Sequence, residues 1–550
     1  MKIEEQFFKG KKEDINNINN MFNMLYDRIS VYDTGDYPVL AGEKLKYSEF
    51  IKEDRIEEKS KEVSEVFDEI SKYFQRAIKW EHSGCMLNIT PPANLASIAT
   101  ALYSLLYNPN CSQDEPTGYM LAMELAVVRM MAKLAGWKPD NSSGIFTFGG
   151  KGTNLYAVKM AINKINSKCK TDGVKVDDFF VVSSEKAHPC HKEICDWLGL
   201  GKNSHITIPV ASDGRMNMEI LENILRDKIE AGKKLACIML SGGTTNENLV
   251  DPIKEVYDLR QKLVEEYNLN YMPHIHVDAV IGWAWLFYSK YDFENNRLNI
   301  PTGTKKKIQR MYNRIKDIKY SDSYGADFHK TGYCPYVSSI LMVSDRTCLQ
   351  GLGDKDREYS TLKCGEYSPF EYSLELTRSS IGPVAAFTAL RLFGYEGYQE
   401  ILYKVFYEGE FIREVLNQQK DFCVLNNATE GFASLFIALP KSLDGMEITN
   451  ELLMEKAEFI QDYNHRFFLY LNESLENRKV NFKISFSKSF KLFGMEKYIG
   501  ALKAYQTSPI ADLDEVRKCL ECLIVLKEEF DIYKPLVEDD INRPIDFVYR

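Results

Sequence analysis

From residue 145 onward, short apolar runs alternate with stretches of helical period, and this alternation narrows the possible folds more than any other feature of the sequence. Strand candidates are 145–148 (Ile145, Phe146, Thr147, Phe148), 179–182, 236–240 and 275–278, with another at 338–343. Helical runs such as 155–165 lie between them. Strands joined through helical crossovers lie parallel, and a parallel sheet needs helices on its faces to cover such apolar runs. The reading is an α/β large domain on a mostly parallel sheet.

After Gly382 the pattern changes to helical runs at 383–393 and 398–416, strand candidates at 424–425, 432–439 and 467–471, and a helix at 515–528. This predicts a smaller α+β domain at the C-terminal end. Upstream, apolar residues recur at helical spacing at Val63, Val66, Phe67, Ile70, Tyr73 and Phe74, so the start of the chain reads as a helical arm. Such an arm needs the main domain or a second subunit to cover its stripe. The domains are drawn at 1–90 for the arm, 91–385 for the large domain and 386–550 for the small domain.

Charge and cysteine content exclude several functions. The net charge of −10 comes from 69 basic and 79 acidic residues without a long basic stripe, so no nucleic-acid partner is expected. Lys305, Lys306 and Lys307 read as part of a solvated loop. The 12 cysteines lack the paired spacing of a zinc site, and no metal is expected. Met1 is followed by Lys2, Ile3, Glu4 and Glu5 instead of a secretory leader, which favours a cytoplasmic setting. No apolar stretch reaches the roughly 18 residues that suggest a membrane span.

Chemistry concentrates just after the apolar strands. Gly149, Gly150, Lys151, Gly152 and Thr153 lie between a strand and a helix, where glycines allow close backbone approach and a helix start offers free N–H groups to an anion. Gly152 separates Lys151 from Thr153, so the string is not a Walker nucleotide loop. His188 follows the 179–182 run and offers a flat ring that could stack on an aromatic cofactor, with His191 a weaker competitor. Thr245 lies in the Ser241-Gly242-Gly243-Thr244-Thr245 loop. Asp278 ends His276-Val277-Asp278, where a carboxylate would hold a protonated pyridine nitrogen. As metal ligands, His276 and Asp278 would share a strand face, but a third convincing ligand is missing. Lys330, in Asp327-Phe328-His329-Lys330-Thr331-Gly332, supplies an amine, whose pKa must be lowered if it is to exchange an aldehyde cofactor with a substrate.

Taken in order, these motifs resemble the group II pyridoxal-dependent decarboxylases, the glutamate and aromatic-amino-acid decarboxylase family, most clearly over residues 80–398. The resemblance implies the fold-type-I architecture of pyridoxal-phosphate (PLP) enzymes. It assigns Gly149, Gly150 and Lys151 to the phosphate loop, His188 to ring stacking, Thr245 to the cofactor's surroundings and Asp278 to the pyridine nitrogen. It places His329 beside the phosphate and makes Lys330 the Schiff-base lysine. Lys151, where a small hydroxyl residue is common, and Val280, where a second alanine is common, depart from the family pattern.

The implied reaction is α-decarboxylation of an L-amino acid to its amine and carbon dioxide by a homodimer. A loop within 346–372 would exclude water, with Tyr359 preferred over Tyr367 as proton donor. Arg378 would organise the entrance, meet a carboxylate or form a structural salt bridge. The rival reading is a PLP-dependent carbon–carbon lyase of the sphingosine-phosphate lyase class, which needs the same lysine and electron sink. A cofactor-binding scaffold without catalysis is a third.

Overall fold

The alternation of runs closes into a seven-stranded sheet. The structure is a computed structural model that describes residues 3–43, 56–175, 178–353, 366–427, 429–491 and 497–533. A short strand β1 (Cys85–Met86) precedes the large sheet. That sheet is formed by β2 (Ser143–Thr147), β3 (Phe179–Ser184), β4 (His205–Ile208), β5 (Lys234–Ser241), β6 (His274–Asp278), β7 (Ser323–Asp327) and β8 (Ser339–Val343). Its spatial order is β2-β8-β7-β6-β5-β3-β4. Only β8 runs against its neighbours, and the other pairings are parallel.

Successive residues of these strands enter different cores. Phe180 and Val182 belong to the main core, while Phe179 and Val181 pack on the opposite face with Val158 and Ala161 of the helix Gly150–Ile165. Burial on both faces is why the strands read as unbroken apolar runs. Because β2, β3, β5, β6 and β7 share one direction, the loops after them emerge along a single edge. That edge gathers the motifs singled out in the sequence, as is usual for ligand sites in open α/β sheets.

Strands β4 and β7 escape a search for apolar runs. Strand β7 reads Ser-Tyr-Gly-Ala-Asp because the helix Gly150–Ile165 presses against it. A Cβ on Gly325 would lie 2.3 Å from the Thr153 hydroxyl, so only glycine fits there.

The C-terminal part carries a five-stranded sheet of order β1-β11-β12-β10-β9, with β9 (Phe422–Val424), β10 (Ala433–Ala438), β11 (Lys483–Phe490) and β12 (Ile499–Tyr505). The strand expected over 467–471 is instead part of the helix Ala457–Glu476, which buries Ile460, Tyr463, Phe467, Leu471 and Leu475 at intervals of three and four. An apolar run of five has no periodicity of its own to separate buried helix from buried strand. The helical runs at 383–393 and 398–416 form one long helix, Ile381–Asn417, interrupted at Gly394, where φ is 54°. The result is a large α/β domain with a smaller α+β domain, as the sequence pattern predicts.

In the N-terminal arm, helix Lys12–Ser30 buries no residue. Arg28 ties it to the helix Val63–Ser71 through Asp68 at 2.6 Å and the Ser64 hydroxyl at 2.7 Å. No helix of the described residues is long and apolar enough to cross a membrane.

Arg378 has a structural partner. Its Nη2 meets both oxygens of Glu124 at 2.7 and 3.0 Å, and its Nη1 donates to the Cys111 carbonyl at 2.8 Å. Glu124 is fully buried and also accepts from the Phe146 N–H, so this pair clamps the helix Met120–Leu134 to β2. Removing one member of a buried pair strands the other charge, at a cost of roughly 3–5 kcal/mol. Arg378→Met is therefore expected to lower unfolding free energy by about that amount in urea titrations; a loss below about 1 kcal/mol would show the pair to be dispensable.

Candidate active site

The site is built around Asp278. This carboxylate ends β6 and is 7% exposed. Its Oδ2 accepts from the Asn154 amide at 2.9 Å and from His191 Nε2 at 3.0 Å. Burial alone would raise its pKa, but the His191 hydrogen bond and charge, then the Asn154 hydrogen bond, bring it well below the ordinary carboxylate range. Its other oxygen, Oδ1, is buried and has no partner among the described residues.

Hydrogen-bond chemistry orders the polar side chains behind it. A carboxylate only accepts, so Asn154 presents its amide nitrogen to Asp278 and its carbonyl to His276 Nε2 at 2.8 Å. His276 Nε2 therefore carries the proton, and its Nδ1 accepts from the Ser323 hydroxyl at 2.8 Å. Ser323 in turn accepts from His274 Nε2 at 2.7 Å. Burial pushes His276 down to about 3 and His274 down to about 4, so both rings are neutral near pH 7. His274, His276 and Asp278 share one face of β6, as alternate residues of a strand do.

Lys330 lies past the end of β7. Its Nζ pairs with Asp327 Oδ2 at 2.9 Å. Asp327 is 1% exposed and also accepts from the Ser339 hydroxyl at 2.5 Å. Burial acts to lower the Lys330 pKa, but Asp327 outweighs it and the net shift is upward. The depressed lysine expected from the sequence is therefore not found, because that reading quoted Asp327 without weighing its burial against Lys330.

The other expected residues fall into two groups. Gly149 and Gly150 open the helix Gly150–Ile165, and a Cβ on Gly150 would lie 3.0 Å from Asp327 Oδ2, so backbone and acid pack closely there. His329 is buried, accepts from the Ser338 N–H at 3.2 Å and lies against Tyr336 with ring centroids 4.1 Å apart. His188 is exposed and lies within electrostatic reach of both Asp278 and Lys330; burial of part of its ring lowers its pKa.

Thr245 is half-buried after β5, but the hydroxyl that braces that loop belongs to Thr244, which accepts from the Leu249 N–H at 3.0 Å. Lys151 points away to Glu193 at 2.5 Å, with both side chains half exposed. Tyr359 lies outside the described residues. Tyr367 accepts a hydrogen bond from the Tyr372 hydroxyl at 3.1 Å.

The sequence reading missed Lys503 on β12. It is 7% exposed and donates to Asn88 Oδ1 at 3.1 Å and Asn246 Oδ1 at 3.2 Å. Among the described residues it forms no ion pair, and the neighbouring Glu247 is held by Lys186 at 2.9 Å. Burial lowers the Lys503 pKa to about 8, against the opposing pull of Glu247. A small cavity beside Lys330 is walled by Ile89, Pro91, Val405, Phe432 and Tyr505, so both domains contribute to it.

Comparison with known proteins identifies the family. The profile described as "Pyridoxal-dependent decarboxylase conserved domain" matches residues 46–435. The chain belongs to the pyridoxal-dependent decarboxylase family. It is 24% identical over 293 residues to the L-2,4-diaminobutyrate decarboxylase of Acinetobacter baumannii, covering 50% of this chain and 51% of that protein. It is 25% identical over 212 residues to the L-aspartate decarboxylase of Metarhizium robertsii, covering 38% and 40%. The matched region thus spans about half or less of these relatives' length.

Solved folds match more completely. Mouse CSAD superposes with a TM-score of 0.77 at 16% identity, covering 94% of this chain and 99% of that one. Oryza sativa TDC with PLP and tryptamine gives 0.76 at 16% identity, covering 96% and 100%.

The residues fit the family's cofactor. Oδ1 of Asp278 is a buried acceptor that lacks a donor, as a protonated ring nitrogen requires, and the nearby amine of Lys330 suits an aldehyde. Cys190, His191 and Asp278 place potential metal-ligand atoms within 4.8 Å of one another, but His191 and Asn154 already occupy Oδ2 of the carboxylate.

The raised Lys330 pKa gives a pH prediction with a definite sign. Such a pair contributes fully below the unfolded lysine pKa of about 10.4 and is lost as pH rises through the higher folded value. In cofactor-free protein, the urea midpoint of wild type should exceed that of Asp327→Asn at neutral pH, and the gap should narrow above about pH 10.4. A gap that is constant with pH would exclude an electrostatic origin.

Proposed function

We propose that this chain is a PLP-dependent lyase that removes the α-carboxylate of an L-amino acid as carbon dioxide and releases the amine. The observation that carries the reading is the donor-lacking Oδ1 of Asp278 on the same strand edge as the amine of Lys330. Bound PLP supplies the electron sink that takes up the pair left by the departing carboxylate.

The chain's own residues have separate tasks. Lys330 holds the cofactor aldehyde, and Asp327, 2.9 Å from its Nζ, takes the proton that the amine must lose. Asp278 holds the ring-nitrogen proton. His188 offers its exposed ring to the cofactor plane. Gly149, Gly150 and the helix start they open take the phosphate, with Lys151, Thr245 and His329 at the margins of the same edge. Tyr359 returns a proton to the substrate α-carbon.

Lys503 anchors a substrate carboxylate. Among the described residues its buried ammonium has only neutral amide partners, which leaves it in need of an anion. One relative is named for a substrate with a second carboxylate, L-aspartate. A second copy of the chain is the partner we infer for the N-terminal arm, whose Phe22, Tyr26, Tyr73 and Phe74 are exposed. Every cysteine of the described residues is unpaired, which agrees with a cytoplasmic setting.

The deciding experiment incubates purified protein and PLP with a chemically diverse amino-acid panel and measures carbon dioxide and organic products together. Amine with stoichiometric carbon dioxide is expected; an aldehyde with a retained amino phosphate would establish the carbon–carbon lyase reading instead. Lys330→Ala should lose both the visible absorbance of covalently held cofactor and turnover. Tyr359→Phe should keep that absorbance while amine formation falls, and undiminished turnover would remove Tyr359 from the reaction. Lys503→Met should raise KM about tenfold or more with a smaller effect on kcat, the loss of one charge-assisted contact; an unchanged KM would rule out the anchoring role.

A further inference from the structure

Two donors are committed to a single oxygen of Asp278. His191 is 1% exposed, and its Nε2 meets Oδ2 at 3.0 Å, the oxygen that also accepts from Asn154. The helix Cys190–Trp197 begins one residue before His191 and turns its ring inward, while His188, just outside that helix, is exposed. Because a carboxylate has no proton to give, Nε2 of His191 must be the protonated ring nitrogen in this contact. The geometry is asymmetric, with Oδ2 saturated and Oδ1 bare.

We propose that His191 is a positioning residue for the ring-nitrogen proton: its N–H fixes Asp278 as an anion with Oδ1 presented, so that the proton stays on the cofactor nitrogen. The inference rests on the PLP reading above. Two states of the shared proton compete, a pyridinium beside a carboxylate and a neutral pyridine beside a carboxylic acid. Burial acts to raise the Asp278 pKa and favour the second state. His191 opposes this through both its hydrogen bond and its charge. Asn154 supplies only a neutral amide. Of the other groups nearby, His276 within the hydrogen-bonded chain and His274 at its far end are neutral, and Cys190 is a thiol pushed up to about 12 by burial. Lys330 is occupied by Asp327. The task of holding Asp278 ionised thus falls first on His191. Without that donor the second state gains, and the ring loses the positive charge that makes it an electron sink.

The test reads the ring nitrogen directly. PLP labelled with 15N in the ring is loaded into wild type, His191→Leu and His191→Gln, and the nitrogen resonance distinguishes pyridinium from neutral pyridine. Wild type is expected to show pyridinium. The Leu variant, which keeps bulk without a donor, should shift toward neutral pyridine and lose at least tenfold in kcat with little change in KM, and Gln should restore part of both.

A pyridinium signal in the Leu variant equal to wild type would overturn the proposal while leaving the PLP reading intact. Failure of wild type to take up PLP would overturn both. If the Leu variant does not fold, 15N-histidine labelling of wild type decides, since an unprotonated Nε2 on His191 is incompatible with the assignment.

Discussion

Taking a carboxylate out of water costs several kcal/mol unless other donors replace its hydration, and Asp278 regains part of this from the N–H groups of Asn154 and His191. Each of those donors must itself be held. Asn154 is oriented by His276, His276 by Ser323, and Ser323 accepts from His274, so four side chains on three elements have their proton positions set by one acid. All are buried, which makes a wrong orientation at any point expensive. The network leaves one oxygen without a donor. That omission is where the interior of the sheet meets the chemistry at its edge.

The same economy of space governs the neighbouring strand. The helix Gly150–Ile165 crosses β7 so closely that Gly325 must lack a side chain, and its first residue lies against Asp327. Close packing brings the helix start, with its free N–H groups, toward the lysine loop. It also sinks Asp327 deeply enough to make its charge effective on Lys330. Lysine, acid and glycine turn form one packed unit.

Much of this was legible from residue order. Gly149, His188, Thr245, Asp278 and Lys330 all follow parallel strands, and four of those strands announce themselves as apolar runs because both their faces are covered. The fold class followed from the same signal. Strand β7 was hidden, since Ser323, Gly325 and Asp327 are shaped by contacts with a helix that sequence spacing does not register. Asn154 was hidden for a related reason, being a polar side chain on the buried face of a helix whose need for an amide comes from residues more than a hundred positions away. His191 was seen but given a lesser version of the role of His188; the helix that starts at Cys190 separates the two rings. The run at 467–471 misled because aromatic residues in succession suit a core helix and a strand equally. Lys503 sits in a strand with no motif around it, and its meaning depends on Asn88 and Asn246, which come from two distant loops.

Tyr505 reaches the cavity from the C-terminal sheet, while Ile89 and Pro91 come from a segment just after β1, which is itself paired into that sheet. The hollow is therefore a seam, with Lys330 on one bank and residues of the C-terminal sheet on the other. A chain cut between them would keep its lysine and its acid but leave the hollow open to bulk water along one side.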